Sequence, residues 1–275
     1  MDLSRRNFLG VTGASLLSGA AGMTPAHSLG ALLDGTGLIQ IQPGEFQMGS
    51  IRGLADEQPV HRVRIGKPFA IGKFEVTQSQ WDTVMREAHG GPDVETTVSA
   101  GSNTISSNPS FFKGVKLPVH NVSWDDVQVF LGRLNQRDPK NSYRLPTEAE
   151  WEYCCRAGQA GAIANLDSVA WFRGNAAEQV HGCGLKEPNA WGLHDMYGNV
   201  AEWVEDWYRF DYYAGSPLAD PAGPKTGSYR VYRGGCWFDD ASNFRASFRA
   251  FDFPISRFYH VGFRVVRTPA PARGL

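Results

Sequence analysis

The sharpest chemical signal in the chain is a pair of carboxylates around a turn. Asp195 and Glu202 stand seven positions apart, with Gly198-Asn199 between them. That dipeptide asks for a tight turn. A turn gathers carbonyls and carboxylates, and a hard cation such as Ca²⁺ takes oxygen ligands of that kind. A plainer arrangement uses the same residues: Asp195 caps backbone N–H groups and Glu202 is solvated. Sulfur is the second signal. Cys154 and Cys155 are adjacent, while Cys183 and Cys236 each sit beside glycine. No Cys-x-x-Cys spacing supports a metal–thiolate site. Adjacent cysteines on one helix are poorly placed to pair, so Cys154 and Cys155 read as buried free thiols. Cys183 and Cys236, both in glycine turns, are the pair that could meet as a disulfide.

The elements that must position these groups are short. Residues 38–41 and 44–48 read as a hairpin, and 60–65 and 69–76 as strands. Thr77 caps a first helix with Gln80 in the capping-box position, and Trp81, Val84 and Met85 form its apolar stripe. The Ser/Gly/Thr-rich run 96–108 reads as a loop. Ser123 caps a second helix, with Asp125 and Asp126 in the first turn and Val127, Phe130, Leu131 and Leu134 facing inward. Thr147 opens a third, with Trp151 facing inward. Residues 261–266 read as a final apolar strand.

Composition agrees with a fold built from turns and aromatic anchors. The 275 residues include 31 Gly and 8 Trp, with 20% charged and 42% hydrophobic. A net charge of −1 argues against a polybasic nucleic-acid binder. The chain reads as neither disordered nor multi-span. Residues 1–28 read as an export signal. Ser4-Arg5-Arg6-Asn7-Phe8-Leu9 leads into a weakly apolar stretch, and Ala26-His27-Ser28 supplies small residues for cleavage. The stretch is too short for a stable membrane span. It resembles a twin-arginine (Tat) signal, which implies export by the Tat translocase to the periplasm. Residues 29–275 then form one domain, since no linker-like break divides them.

Several longer motifs follow one another along the chain. They are Phe46-Gln47-Met48-Gly49-Ser50, Glu75-Val76-Thr77, Pro118-Val119-His120-Asn121-Val122-Ser123-Trp124 and Arg144-Leu145-Pro146-Thr147-Glu148-Ala149-Glu150-Trp151. Then come Trp191-Gly192-Leu193-His194-Asp195-Met196-Tyr197-Gly198-Asn199-Val200-Ala201-Glu202-Trp203 and Arg233-Gly234-Gly235-Cys236-Trp237, with Gly262-Phe263-Arg264 last. In this order they resemble the formylglycine-generating enzyme family, also called sulfatase-modifying factors, from about Ile39 to Arg267. The resemblance implies a single irregular α+β domain, similar to the C-type-lectin-like fold, with little regular secondary structure. It also implies a structural calcium, held by the Asp195 side chain, the carbonyls of Gly198 and Val200, and Glu202. Arg144, Glu148 and Trp151 read as scaffold.

The catalytic signature departs from that family. Its members that generate formylglycine carry two cysteines just after the Gly-Gly-Ser turn, and those thiolates bind copper(I), which requires soft ligands. Asp239 and Phe244 stand at the two positions here, and Cys236 replaces the serine. Cysteine–copper chemistry is therefore not expected, and any redox metal is left unassigned. The polar set that remains is Trp237, Asp239, Asp240, Arg245, Arg249, Tyr259 and His260. Asp239 and Asp240 are candidate bases or metal ligands, and His260 a proton shuttle or ligand. Arg245 and Arg249 would share a face if their segment were helical. The plainer readings are a hydrogen-bonded histidine and structural salt bridges. Trp203, Trp207, Tyr208, Tyr212, Tyr213 and Trp237 either line a substrate groove or belong to the core.

The expected function is periplasmic oxidative maturation of a peptide, peptide-derived siderophore or protein substrate, similar to the Tat-exported branch that matures pyoverdine. The alternatives are a non-catalytic binding or accessory module and, third, formylglycine generation on sulfatases.

Overall fold

The computed structural model describes residues 37–86, 97–100, 103–161, 163 and 165–270. The expected export signal, residues 1–28, lies outside the described residues. The strands and helices in chain order are β1 (Leu38–Ile41), β2 (Gly44–Met48), β3 (His61–Ile65), β4 (Phe69–Gly72), α1 (Gln78–Arg86), β5 (Thr97–Ala100), β6 (Asn103–Ser106) and α2 (Trp124–Arg137). There follow β7 (Asn141–Arg144), α3 (Glu148–Arg156), α4 (Leu166–Val169), β8 (Ala170–Trp171), β9 (Tyr197–Gly198), β10 (Ala201–Trp207), β11 (Arg230–Arg233), β12 (Ala250–Asp252), β13 (Val261–Phe263) and β14 (Val266–Pro269). Most of the chain between α3 and β14 is turns and short strands, as the glycine-rich sequence implies.

Two four-stranded sheets organise these pieces, in the orders β1-β4-β14-β7 and β12-β11-β10-β13. The strands expected as one hairpin are separated. β1 pairs with β4, placing Ile39 opposite Ile71, whereas β2 pairs with β3, placing Phe46 opposite Val63. The short gap at Gln42-Pro43 looked like a turn, but each strand finds its apolar partner further along the chain. The run expected to be a loop contains the β5–β6 hairpin. The final apolar strand is two strands: β13 runs parallel to β10, and β14 pairs with β4 and β7. One short segment thus stitches the two sheets together.

The three helix starts are as the sequence implies. Gln80 Oε1 accepts from the Thr77 N–H at 2.9 Å, Ser123 Oγ from the Asp126 N–H at 3.1 Å, and Thr147 Oγ1 from the Glu150 N–H at 3.1 Å. α1 packs on α2 through stacked Trp81 and Phe130, 5.4 Å apart, with Phe263 edge-on to both rings. Buried tryptophans finish their hydrogen bonds on backbone: Trp203 Nε1 donates to the Val122 carbonyl and Trp124 Nε1 to that of Val204.

Much of the interior is ionic. Arg233, Arg249, Arg264, Glu148, Glu152 and Glu202 are all buried. Arg233 donates to Glu152 at 2.5 Å, Arg249 to both oxygens of Glu148 at 2.7 and 2.8 Å, and Arg264 to both oxygens of Glu202 at 2.6 and 2.7 Å. The first two pairs fix α3 against the C-terminal third of the chain. Removing one partner strands a buried charge. Glu152→Ala, which takes from Arg156 its only carboxylate among the described residues and leaves Arg233 with Glu148 alone at 3.4 Å, is expected to cost roughly 3–5 kcal/mol in urea unfolding.

Candidate functional site

Asn199 is the node where the motifs meet. It is buried and left-handed, with φ of 58°. Its N–H donates to the Trp171 carbonyl, and its own carbonyl accepts from the Trp237 N–H, both at 2.9 Å. Its side-chain amide donates to Glu75 Oε2 at 2.8 Å, and its Oδ1 accepts from the His181 N–H at 2.9 Å. The neighbouring Gly198 has φ of 76°, and a Cβ there would lie 2.1 Å from the Trp171 oxygen. Only glycine fits that turn.

Beside the node lies a buried acidic group. Glu75 accepts from the Val200 N–H at 3.1 Å as well as from Asn199. Glu202 is not solvated: Arg264 and the indole N–H of Trp151, at 2.8 Å, occupy it. Asp195 Oδ2 accepts from the Gly184 N–H at 2.6 Å. Its Oδ1 is buried with no hydrogen-bond partner among the described residues. Burial pushes the Asp195 carboxyl up to about 6, with Glu202 adding to the rise while Gly184 and Arg264 oppose it. Burial, then the charges of Asp195 and Glu202, push Glu75 well above the usual carboxylate range. Three carboxyl groups crowd one guanidinium, and in the absence of a cation that crowding favours protonation of Glu75 and Asp195. Asp195 also lines a cavity of about 490 Å³ with Asn165, Glu187 and Asn189, which gives an ion a way in.

The side chains alone do not make up a calcium site. Among the described residues, no three His, Cys, Asp or Glu side chains are grouped to hold a metal ion. A calcium here would therefore lean on the Asp195 side chain and on carbonyls such as those of Gly198 and Val200. Glu202 would contribute only while still holding Arg264. Glu75 belongs to this group, yet its spacing in the sequence carried no signal for it: it arrives from a different motif, more than a hundred positions away.

The second candidate region is an aromatic cleft of about 540 Å³. Phe111, Phe112, Trp237, Phe238 and Tyr259 form its walls, with Arg173 and Glu178 at its edge. Phe112 meets Trp237 edge-on at 5.6 Å, and Trp237 meets Phe238 at 5.0 Å. His260 packs against Phe238 at 4.9 Å and Tyr259 at 5.4 Å. Burial lowers the His260 pKa, against the opposing pull of Asp239, which favours the neutral ring. Its Nδ1, like the indole N–H of Trp237, has no partner among the described residues. Under the cleft, Phe112 N–H donates to His120 Nε2 at 3.1 Å, and His120 Nδ1 donates to the Pro118 carbonyl at 3.0 Å.

The structure divides the expected catalytic set. Trp237 lines the cleft, and His260 and Asp239 lie close to it. Asp239 Oδ2 accepts from the Cys236 N–H at 2.9 Å and from its thiol at 3.3 Å. Asp240 instead pairs with Arg173 at 3.1 Å, with both side chains exposed. Arg245 clasps Glu57, and Arg249 clasps Glu148 and the Asp56 carbonyl. Their segment begins as a single 3₁₀ turn, Ala241–Asn243, so the shared helical face does not exist. These two arginines serve the buried ionic framework. Of the expected groove aromatics, Trp203, Tyr212 and Tyr213 are core residues. Trp207 and Tyr208 stand elsewhere, and only Trp237 reaches the cleft. Phe111, Phe112 and Tyr259 supply the other walls, together with Phe238.

All four cysteines are free thiols. The Cys183–Cys236 disulfide does not form because each thiol is directed at a different carboxylate: Cys183 at Glu75, 3.5 Å away, and Cys236 at Asp239. Burial pushes both thiols up, and the adjacent carboxylates push them further.

The irregular α+β framework, the Asn199 turn and the left-handed Gly234-Gly235 pair stand in the order of the family motifs in the sequence. The sulfatase-modifying factor enzyme 1-like domain matches residues 30–269, and the chain belongs to that family. The formylglycine-generating enzyme of Streptomyces coelicolor is 31% identical over 290 residues, covering 83% of this chain and 88% of that protein. Serine/threonine-protein kinase pkn1 of Chlamydia pneumoniae is 30% identical over 249 residues. That match covers 84% of this chain, which spans only 38% of that relative's length. Among solved structures, PvdO from Pseudomonas aeruginosa superposes with a TM-score of 0.70 at 28% identity, covering 84% of this chain and 93% of that one. Treponema denticola variable protein 1 gives the same TM-score and identity, covering 85% and 95%.

Two measurements check this geometry. Thiol titration should find four reactive thiols in denaturant, identical with or without prior reduction. An intact-mass change on reduction would contradict it. The second test concerns His120, whose pKa burial lowers from 6.5 to about 4. The unfolded chain binds this proton near pH 6.5 and the folded chain only near 4, so its contribution is complete above pH 6.5 and is lost as pH falls through that window. Between pH 6.5 and 4, urea unfolding should show stability falling less in His120→Gln than in the parent.

Proposed function

We propose that the protein oxidatively matures a peptide or peptide-derived siderophore precursor in the periplasm, without the cysteine–copper chemistry of its formylglycine-generating relatives. The observation that carries this reading is the pairing of two features at one place. Asp239 and Phe244 occupy the positions where copper(I) needs thiolates, so the residues do not fit that metal. Yet the cleft beside them keeps aromatic walls, and His260 packs against two of these, Phe238 and Tyr259, with Asp239 next in the chain to Phe238. The overall likeness to PvdO supports the same reading.

The cleft residues have definable roles. Phe112, Trp237 and Tyr259 bind an aromatic or amide-rich group by packing. Oxidation that creates a double bond passes two electrons to an external acceptor such as dioxygen and releases two protons, and His260, packed behind Phe238 and Tyr259, is the imidazole nearest the cleft to take one. Asp239 steadies the Gly235-Cys236 turn through the Cys236 N–H and biases His260 electrostatically. Cys236 is a poor nucleophile, because its thiol is buried and its pKa is raised. Formylglycine generation through that one cysteine ranks lowest. With purified protein and a candidate precursor peptide, Asp239→Ala and His260→Ala should each lower turnover by about 10²-fold or more while melting remains cooperative. Unchanged turnover in both removes the proposed site.

One observation favours a binding or accessory role instead: Asp240, Arg245 and Arg249 are all spent in ion pairs. On that reading the protein binds the peptide but consumes no oxidant with it.

The acidic group suits a structural calcium held through Asp195 and the carbonyls of Gly198 and Val200. Such an ion would tie the Asp195 segment to the Asn199 turn, and through the Asn199–Trp237 backbone bond it would steady Trp237. Chelation with EGTA at neutral pH should lower the melting temperature of the parent by several degrees, with recovery on adding calcium. Asp195→Ala should abolish that response, and a parent insensitive to the chelator overturns the assignment.

A further inference from the structure

Two neighbouring loops hold apolar side chains out in water on a pinned backbone. Phe111 is 71% exposed, Val115 70% and Leu185 67%. The first two stand on the loop 107–118, which the side chain of Gln78 fastens from beneath. Its Nε2 donates to the Phe112 carbonyl at 2.8 Å and the Pro118 carbonyl at 3.3 Å, and its Oε1 accepts from the Gly114 N–H at 3.1 Å. The Ser79 N–H donates to the Val115 carbonyl at 3.2 Å. The second loop, 182–187, is tied to the first by the Cys183 N–H, which donates to the Lys116 carbonyl at 3.1 Å. A Cβ at Gly182 would lie 3.4 Å from the Leu185 side chain and 3.9 Å from that same carbonyl, so Leu185 stands close to the Lys116 backbone.

Positive charge is mixed with these apolar groups. Three of the seven lysines, Lys113, Lys116 and Lys186, stand on the same two loops. None makes an ion pair among the described residues: Lys113 donates to the Asn108 carbonyl and Lys186 to that of Asp167, both neutral acceptors. Residues 107–122 hold no Asp or Glu, nor do 179–186, which Glu178 and Glu187 flank. Apolar side chains on exposed turns, interspersed with unpaired lysines, match the layered chemistry of a lipid surface. Rings and aliphatic groups enter the boundary between headgroups and acyl chains, and lysine stems lie along it with their ammonium groups among phosphates. We propose that this face, Phe111, Val115 and Leu185 with Lys113, Lys116 and Lys186, docks the protein on an anionic lipid bilayer. Attachment is peripheral, since the loops reach only the headgroup boundary. It is independent of the chemistry assigned to the cleft, although Phe111 belongs to both and docking brings the rim of the cleft to the bilayer surface.

The test uses the full mature chain, residues 29–275, so that the expected export signal cannot itself bind lipid. Co-sedimentation at low and moderate salt is read with vesicles of phosphatidylcholine alone and with vesicles of about three parts phosphatidylcholine to one of phosphatidylglycerol. The protein should bind the mixed vesicles and not the neutral ones, and more weakly as salt rises. Lys113→Gln, Lys116→Gln and Lys186→Gln should each lower the partition coefficient about fivefold. Lys140→Gln and Lys225→Gln, outside the two loops, should leave it unchanged. Val115→Ser combined with Leu185→Ser should lower it by about tenfold or more at constant charge, while melting as the parent does because both side chains are exposed. No binding to the mixed vesicles, equal binding to the neutral ones, equal loss from Lys140→Gln and Lys225→Gln, or no loss from the serine pair each overturns the proposal. Heparin, a soluble polyanion, bound as tightly as the mixed vesicles and with the same sensitivity to every variant also overturns it, in favour of an acidic macromolecule.

Discussion

The structure depends on arginine–glutamate pairs buried in the midst of its apolar core. Glu148, Glu152 and Glu202 meet Arg249, Arg233 and Arg264 in the interior, with most of their hydrogen-bonding capacity satisfied. Desolvating these charges is expensive, and it is offset by the bidentate geometry of the Arg249–Glu148 and Arg264–Glu202 pairs and by Glu152 being shared between Arg233 and Arg156. That requirement explains the rest of the architecture. The three carboxylates stand on α3 and β10, and the three arginines come from the last quarter of the chain, so the loops between must return accurately. Low regular secondary structure is tolerable because fixed charge pairs act beside the two apolar clusters in locating those loops.

The candidate site is an outgrowth of the same framework. β10 carries Glu202 into the ionic interior, and immediately before it Asn199 reaches Trp171, His181, Glu75 and Trp237. The backbone of Ala201 then donates to the His260 carbonyl at 2.9 Å. The acidic group and the aromatic cleft are therefore coupled through four residues of backbone. Anything that tightens the turn, a bound cation included, also tightens the floor of the cleft. Arg245 and Arg249 lie between the cleft segment and the ionic interior, which is why two residues that looked catalytic by position serve as framework.

Local signals were legible in proportion to how local their physics is. Thr77, Ser123 and Thr147 announce helix starts because a cap needs only its own next three residues. The buried stripes of α1 and α2 follow from helical spacing. The hairpin expected at residues 38–48 failed because strand pairing is decided by which distant strand offers the better apolar face. The Ser/Gly/Thr run hid the β5–β6 hairpin, since a polar composition does not forbid pairing. The cysteines were legible as to what they lack, thiolates where copper chemistry needs them. They were not legible as to what they touch, because Glu75 and Asp239 reach them through folding.

The sequence alone determined the family, the irregular α+β class, the capped helices and the loss of the cysteine pair. Each of these is written in residue identity at fixed spacing. Only the tertiary structure decided that Glu202 is held by Arg264, that Glu75 joins Asp195, and that Arg245 and Arg249 belong to the framework. It alone gathered Phe111, Phe112, Trp237, Phe238 and Tyr259 around one cleft. The reason is physical: burial and charge pairing are properties of distance in space, and residues more than a hundred positions apart acquire that distance only when the chain has folded.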